Sequence, residues 1–368
     1  MPELPAILAK AVALKASDVL IVPNEAPIIR LDGKVAKMTD IGALPAAETQ
    51  RMLLSTLTPK QLADFQKSLQ VDLSLTVPGV GRFRANVFVQ YQGVAAAFRP
   101  LAPVIPTPEQ VGIPEQLLKL CQLPRGLVLV TGPTGSGKTT TLAAMMEWIN
   151  SHLHKHIITI EDPVEFVYQN KGSIVNQREI GFHTGSFSAG LRGALRQNPD
   201  IILIGEMRDF ETIELAIRAA ETGHLCFSTL HTQDAPSTID RIISEFPTAQ
   251  QNRARLQLSS VLCGVVSQIL LPKAGGGRVC AREVMLMNSG IAALIRDSKI
   301  HQILSSIEAG KTDGMCSMDQ SLAELCAAKL VEIKTAYGWA HDVSSLKAQL
   351  SRLNVALPAE VAEYIAPI

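Results

Sequence analysis

The opening stretch PAILAKAVALKA sets Ala, Leu and Ile at helical spacing, which predicts a helix over residues 5–16. Short runs rich in β-branched residues follow, DVLIV, APIIRLDGKV, VDLSLTV and GRFRANVFVQ, broken at DG and PGVG turns. Between them AAETQRMLLSTL and TPKQLADFQKSL return to the helical period. Helices mixed with strands that are neighbours in sequence predict an α+β domain, a sheet with helices on one side. The pattern then changes. RPLAPVIPTPEQVGIPEQ, residues 99–116, holds five prolines. Proline fixes φ and disfavours helix in the residue before it, so an extended connection is expected. The predicted organisation is a first domain over 1–100, a proline-rich linker over 101–116 and a second domain over 117–368.

Residues 125–232 alternate strand and helix patterns. GLVLVT, HIITIED, DIILIGE and HLCFSTLH are nearly continuous apolar runs, as in strands of a parallel sheet covered on both faces. TTLAAMMEWINSHL places Leu142, Met145, Met146, Ile149 and Leu153 on one stripe of a helix between two of them. This is a βαβ series, for which right-handed crossovers are expected. From about residue 235 the chain reads as mainly helical, with APSTIDRIISEF and then QQNRARLQLSSVLCGVVSQILL running to Leu271. KAGGGRVCAREVML predicts a turn and strands interrupting these helices. The fold class is α/β.

Composition narrows the choices. A chain of 368 residues, 47% hydrophobic and 18% charged, has the apolar content for two cores. The net charge of +0 speaks against a dedicated nucleic-acid binder, whose footprint is a basic excess, and leaves only a local patch open. Cysteines at 121, 226, 263, 280, 316 and 326 form no Cys-x-x-Cys pair, so reduced and mostly buried thiols are expected rather than a zinc module. No run reaches the ~18 apolar residues of a membrane span. The first residues lack the basic region and cleavage site of a signal peptide, and a cytoplasmic location is expected.

The chemistry concentrates in GPTGSGKTTT, residues 132–141. Gly132, Pro133, Thr134, Gly135, Ser136, Gly137, Lys138 and Thr139 fit the P-loop pattern, with Thr140 next in line. Glycines let backbone N–H groups turn inward around phosphate oxygens. Lys138 would reach the β and γ phosphates, and the Thr139 hydroxyl would ligate Mg²⁺. The following helix offers a partly positive amino terminus. ATP and Mg²⁺ are the expected ligands. Glu161, Asp162 and Glu165 follow one predicted strand, Glu206 ends a second and His231 a third. In open α/β sheets ligands bind beyond the carboxyl ends of the strands, so these groups aim at the loop's edge. Glu206 sits where a carboxylate would bind Mg²⁺, Glu165 is the candidate for polarising the attacking water, and His231 for sensing the γ-phosphate.

Four segments, GPTGSGKTTT, IEDPVEF, RQNPDIILIGEMRD and TGHLCFSTLHT, resemble the Walker A, Asp, Walker B and His boxes of the type II/IV secretion ATPases. The resemblance runs through nearly the whole chain and is strongest to the pilus retraction branch. It implies a PAS-like first domain, a RecA-like core and a homohexamer, with nucleotide between the domains and near the neighbouring subunit. It also implies arginine-finger roles for Arg84 and Arg99, and weaker candidacies for Arg208 and His224. By residue type alone, Arg84 and Arg99 would pair with surface carboxylates. Two segments depart from the family pattern. ASDVLI has Leu20 where a histidine is usual, and ALIRDSK has Asp297 where glutamate is common.

The function implied is a hexameric motor that hydrolyses ATP to retract type IV pili, working at the inner membrane against a pilus platform protein, with a second retraction ATPase as an optional partner. Alternatives are an accessory retraction ATPase, or an assembly or secretion ATPase. The assembly and secretion relatives generally carry an extra N-terminal domain and a tetracysteine module. A RecA-type nucleic-acid motor, disfavoured by neutral charge and 4% aromatics, and a non-hydrolysing nucleotide switch are the readings from other classes.

Overall fold

A computed structural model describes residues 3–31, 33–101 and 104–356, in two units: Met1–Val104 with Pro163–Val167, and Ile105–Asp162 with Tyr168–Ile368. The first unit begins with α1 (Leu4–Ala13), which buries Leu4, Ile7, Leu8 and Ala11 at the spacing of one helix face. There follow β1 (Asp18–Ile21), β2 (Ile28–Leu31), β3 (Lys34–Lys37), α2 (Ala46–Leu54), α3 (Pro59–Ser68), β4 (Gln70–Val77), β5 (Gly81–Gln90) and β6 (Gly93–Pro100). Helix α3 starts cleanly because Pro59 occupies its first turn and Thr58 and Gln61 cap each other reciprocally. The sheet order is β3-β2-β1-β6-β5-β4, with every pairing antiparallel. Ile7, Leu8, Leu53 and Phe65 from the three helices share one core with Val19, Ile21, Phe83, Val87 and Phe98 from the strands. Strand β6 was not marked by the sequence pattern. Its VAAAF segment is alanine-rich, and ladders on both sides supply what propensity does not.

The second unit opens with a turn. The proline-rich stretch is not extended throughout: residues 108–112 are turned, because the Arg282 guanidinium donates to the carbonyls of Val111 and Gly112, each at 2.6 Å. Then come α4 (Glu115–Leu120), β7 (Gly126–Thr131), α5 (Lys138–His152), β8 (His156–Glu161), β9 (Ile174–Glu179), α6 (Phe187–Ala194), β10 (Ile201–Ile204), α7 (Phe210–Glu221), β11 (Leu225–Leu230), α8 (Ala235–Ser244), α9 (Gln251–Val261), β12 (Leu262–Pro272) and β13 (Arg278–Leu286). The chain continues through α10 (Ser289–Arg296), α11 (Ile303–Ala309), α12 (Met318–Ala327), α13 (Ile333–Tyr337) and α14 (Val343–Arg352). The sheet order is β13-β12-β7-β11-β10-β8-β9, parallel throughout except for β13. Strands β7, β10 and β11 are buried at every position, as their continuous apolar runs require.

In this second unit two elements differ from the sequence pattern. Strand β9, IVNQRE, is an alternating and mostly polar edge strand rather than an apolar run. The helix expected to reach Leu271 stops at Val261, and Leu262–Pro272 is a strand. Val265 and Val266 prefer the pleat, and β12 gains hydrogen-bonded partners on both sides, β7 and β13. Among the described residues no helix is long and apolar enough to cross a membrane.

Candidate functional site

Strand β7 lies between β11 and β12, near the middle of the sheet, and the chain leaves it straight into the glycine loop. The loop's shape depends on backbone angles that side chains oppose. Gly132, Gly135 and Gly137 have φ of 139°, 81° and 88°. Gly132 is also pressed against β12, since a Cβ there would stand 2.2 Å from the Gln268 carbonyl oxygen. Helix α5 begins at Lys138 with no side chain capping it, which leaves its first N–H groups to the loop. Lys138 is 8% exposed and donates to the carbonyls of Gly132 (2.8 Å) and Pro133 (3.0 Å). Burial pulls its ammonium pKa down, while the nearby Glu206 charge acts in the opposite direction. The Ser136 hydroxyl is buried without a partner among the described residues, and Thr139 is exposed.

The parallel register brings the carboxyl ends of β7, β8, β10 and β11 to one edge. Glu206, just beyond β10, pairs with Arg208 (2.7 Å) and approaches His231 beyond β11 (3.4 Å). The backbone around it is held by Thr229 Oγ1 donating to the Gly205 carbonyl (2.6 Å) and by the Met207 N–H donating to the Thr229 carbonyl (3.1 Å). Glu161 at the end of β8 is 7% exposed and accepts from Thr159 Oγ1 (2.6 Å) and Gln177 Nε2 (3.0 Å). Those bonds make it part of the sheet's polar rim rather than a free base.

The second unit thus gathers the loop residues 132–140 with Glu206, Arg208 and His231. Glu165 belongs to Pro163–Val167, which groups with the first unit, as do Arg84 and Arg99. The two arginines face each other across β5 and β6. Arg99 makes the surface pairing its residue type suggests, donating to Asp18 Oδ1 from Nε (3.0 Å) and Nη2 (2.9 Å). Arg84 is exposed and has no ion-pair partner among the described residues. His224 precedes β11, at the amino edge of the sheet, and its Nδ1 lies 2.9 Å from the Ala219 carbonyl, so the fold does not bring it to this chain's own loop.

Three polar residues on the β12–β13 hairpin escaped sequence reasoning. Ser267 accepts from Thr131 Oγ1 at 2.8 Å, Gln268 contacts the loop, and Glu283 accepts from the N–H of Ala235 at 2.8 Å, at the start of α8. The signal was available: Ser-Gln interrupts an otherwise apolar VVSQILL run, but only a strand assignment gives that interruption a place next to β7.

A loop that opens on an uncapped helix amino terminus, with a buried lysine folded into it, suits one ligand class, the phosphates of a nucleotide. Fold and site together define a P-loop nucleotide-binding protein. The sequence model of the family described as Type II/IV secretion system protein matches residues 2–314, and the chain belongs to that family. It is 46% identical over 330 residues to the type IV pilus retractation ATPase PilT of Pseudomonas aeruginosa, covering 90% of this chain and 96% of that protein. The type IV pilus ATPase PilU of the same organism is 37% identical over 332 residues, 90% of this chain and 87% of that one. Among solved structures, that of the pilus retraction motor PilT with bound ADP matches with a TM-score of 0.89 and 45% identity, over 95% of this chain and 100% of that chain.

Proposed function

We infer that this chain is an ATP-hydrolysing motor that powers retraction of type IV pili. One observation carries the reading: 46% identity to PilT across 90% of this chain and 96% of that protein, which takes in the loop, Glu206 and His231 within a single shared architecture. The accessory PilU reading rests on the lower identity of 37% and stands second.

The chain's own residues divide the work. The loop N–H groups and the amino end of α5 bind the phosphates, and Lys138 exchanges its carbonyl partners for phosphate oxygens. Thr139 and Glu206, a hydroxyl and a carboxylate, are suitable hard oxygen donors for magnesium, which when bound supplies positive charge to the phosphate oxygens. Arg208, 71% exposed, leaves Glu206 at small cost. Glu165 orients and polarises the attacking water, and His231 reports on the γ-phosphate. Arg84 and Arg99 supply finger charges in a homohexamer, Arg99 by giving up Asp18. Loss of the γ-phosphate changes these contacts and biases rigid-body rotation of one domain against the other. The hinge lies in the proline-rich stretch ahead of Val111, because Arg282 ties down Val111 and Gly112. The motor works on the cytoplasmic side of the inner membrane, against a pilus platform protein.

Deleting the gene tests this. Cells with excess surface pili that no longer retract, not rescued by Lys138→Ala, support the motor; bald cells support assembly and contradict it.

A further inference from the structure

Buried amides in strands are retained only when their hydrogen bonds are satisfied. Gln268 lies in β12 among Val265, Val266, Ile269 and Leu271, and is 1% exposed. The β7–β12 pairing ends at Thr131 with Ser267, so Gln268 stands one residue further on, level with the root of the glycine loop. Its Nε2 donates to the Ser136 carbonyl at 2.8 Å. Its Oε1 accepts from Thr141 Oγ1 at 3.0 Å, on the first turn of α5. The Ser136 carbonyl can only accept, which fixes which end of the amide faces the loop. The Gln268 backbone adds a third restraint, its carbonyl filling the space that any side chain at Gly132 would need. A Cβ at Gly137 would in turn stand 3.3 Å from Nε2. One residue, remote in sequence, therefore touches the loop at its first glycine, at its last turn and on the helix behind it.

We propose that Gln268 is a positioning residue for the P-loop, holding it in the phosphate-binding shape by bridging the Ser136 carbonyl and the Thr141 hydroxyl. The proposal rests on the nucleotide reading of the loop. It assigns Gln268 no contact with the nucleotide. Without the amide donor the Ser136 peptide is free to rotate, and the N–H groups beside it lose their common direction. Preorganisation of this kind appears first in affinity.

The test is nucleotide affinity by calorimetry, together with KM and kcat for ATP, in the full chain carrying Gln268→Leu, Gln268→Glu or Thr141→Val. Gln268→Leu is expected to raise Kd and KM by about tenfold or more, with a smaller change in kcat. Thr141→Val, which only releases the amide's orientation, is expected to cost a few-fold, and to cost nothing further on top of Gln268→Leu. Gln268→Glu supplies the sharper readout. Ionised, the introduced carboxyl turns an oxygen toward the Ser136 carbonyl. Protonated, it donates there as the amide does, so affinity lost at pH 8 should return as pH falls, beyond any change in the wild type. Gln268→Met, which keeps the bulk without the donor, separates this from packing: it is expected to stay weak at both pH values, whereas a role in packing alone would leave it close to wild type. The proposal is overturned if folded Gln268→Leu binds as the wild type does, or if Gln268→Glu merely parallels the wild-type pH profile. Wild-type protein that binds no nucleotide would instead overturn the reading of the loop, and the proposal with it.

Discussion

Glu206 Oε1 lies 2.7 Å from Arg208 Nε, at the edge of the sheet where the glycine loop emerges. The carboxylate is 15% exposed and the guanidinium 71% exposed, so the pair is open to solvent on one side. Such a pair contributes at most about 1 kcal/mol to stability. Arg208→Ala is therefore expected to move the thermal midpoint by only a few degrees and to leave phosphate release within about threefold of wild type. Glu206→Gln is expected to slow phosphate release by about 10²-fold or more while nucleotide affinity changes little, because its charge is needed when the phosphoryl group leaves. Steady-state assays with calorimetry on both variants separate the two roles.

Gly132 meets two demands at once, a φ of 139° and contact with the Gln268 carbonyl. Gly132→Ala is expected to abolish nucleotide binding and to destabilise the fold by about 2 kcal/mol or more, since backbone rather than a flexible side chain must move. Gly135→Ala meets no atom within 4 Å and suffers only the strain of φ 81°, so its loss of stability should be the smaller. Denaturant unfolding of the two variants makes the comparison.

Glu283 gives the protein a pH dependence of known sign. Burial pushes its carboxyl from 4.5 up to about 7; the Ala235 N–H opposes this, and Asp234 and Asp319 add repulsion. The folded state holds this proton more tightly than the unfolded state does. The stability it contributes is complete below pH about 4.5 and is lost as pH rises through about 7. The loss is at most about 3 kcal/mol by pH 8. Relative to wild type, Glu283→Gln should gain stability between pH 5 and pH 8, which paired urea titrations at the two pH values would reveal.

The Cys121 and Cys226 thiols, 1% and 0% exposed, are pushed up to about 12 by burial. Neither forms appreciable thiolate at pH 8. Both are expected to resist alkylation in the folded protein and to react only on unfolding, as mass spectrometry of alkylated peptides can follow.

How much of this was legible beforehand depended on whether the physics was local. The glycine loop, the strands around it and the placement of Glu206 and His231 follow from short patterns, because a buried parallel strand must be apolar and the residue after it must reach the carboxyl edge. Strand β12 was hidden because LQLSSVLCGVVSQILL satisfies helical spacing as well as strand burial; only its pairing with β7 and β13 decides. Gln268 was lost with it. Asp209 was legible only as part of a motif, yet locally it caps α7 through the Thr212 N–H at 2.9 Å. The Arg282 anchor on Val111 and Gly112 joins residues some 170 positions apart, which no local pattern encodes.

The central claim is that nucleotide held by the loop around Lys138 is hydrolysed to do work. Phosphate release from purified, magnesium-supplied protein, compared between wild type and Lys138→Ala, tests it most directly. The account predicts sustained ATP turnover by the wild type and a fall of at least about 10²-fold in the folded variant. Equal release from both proteins, or none from either, would contradict it.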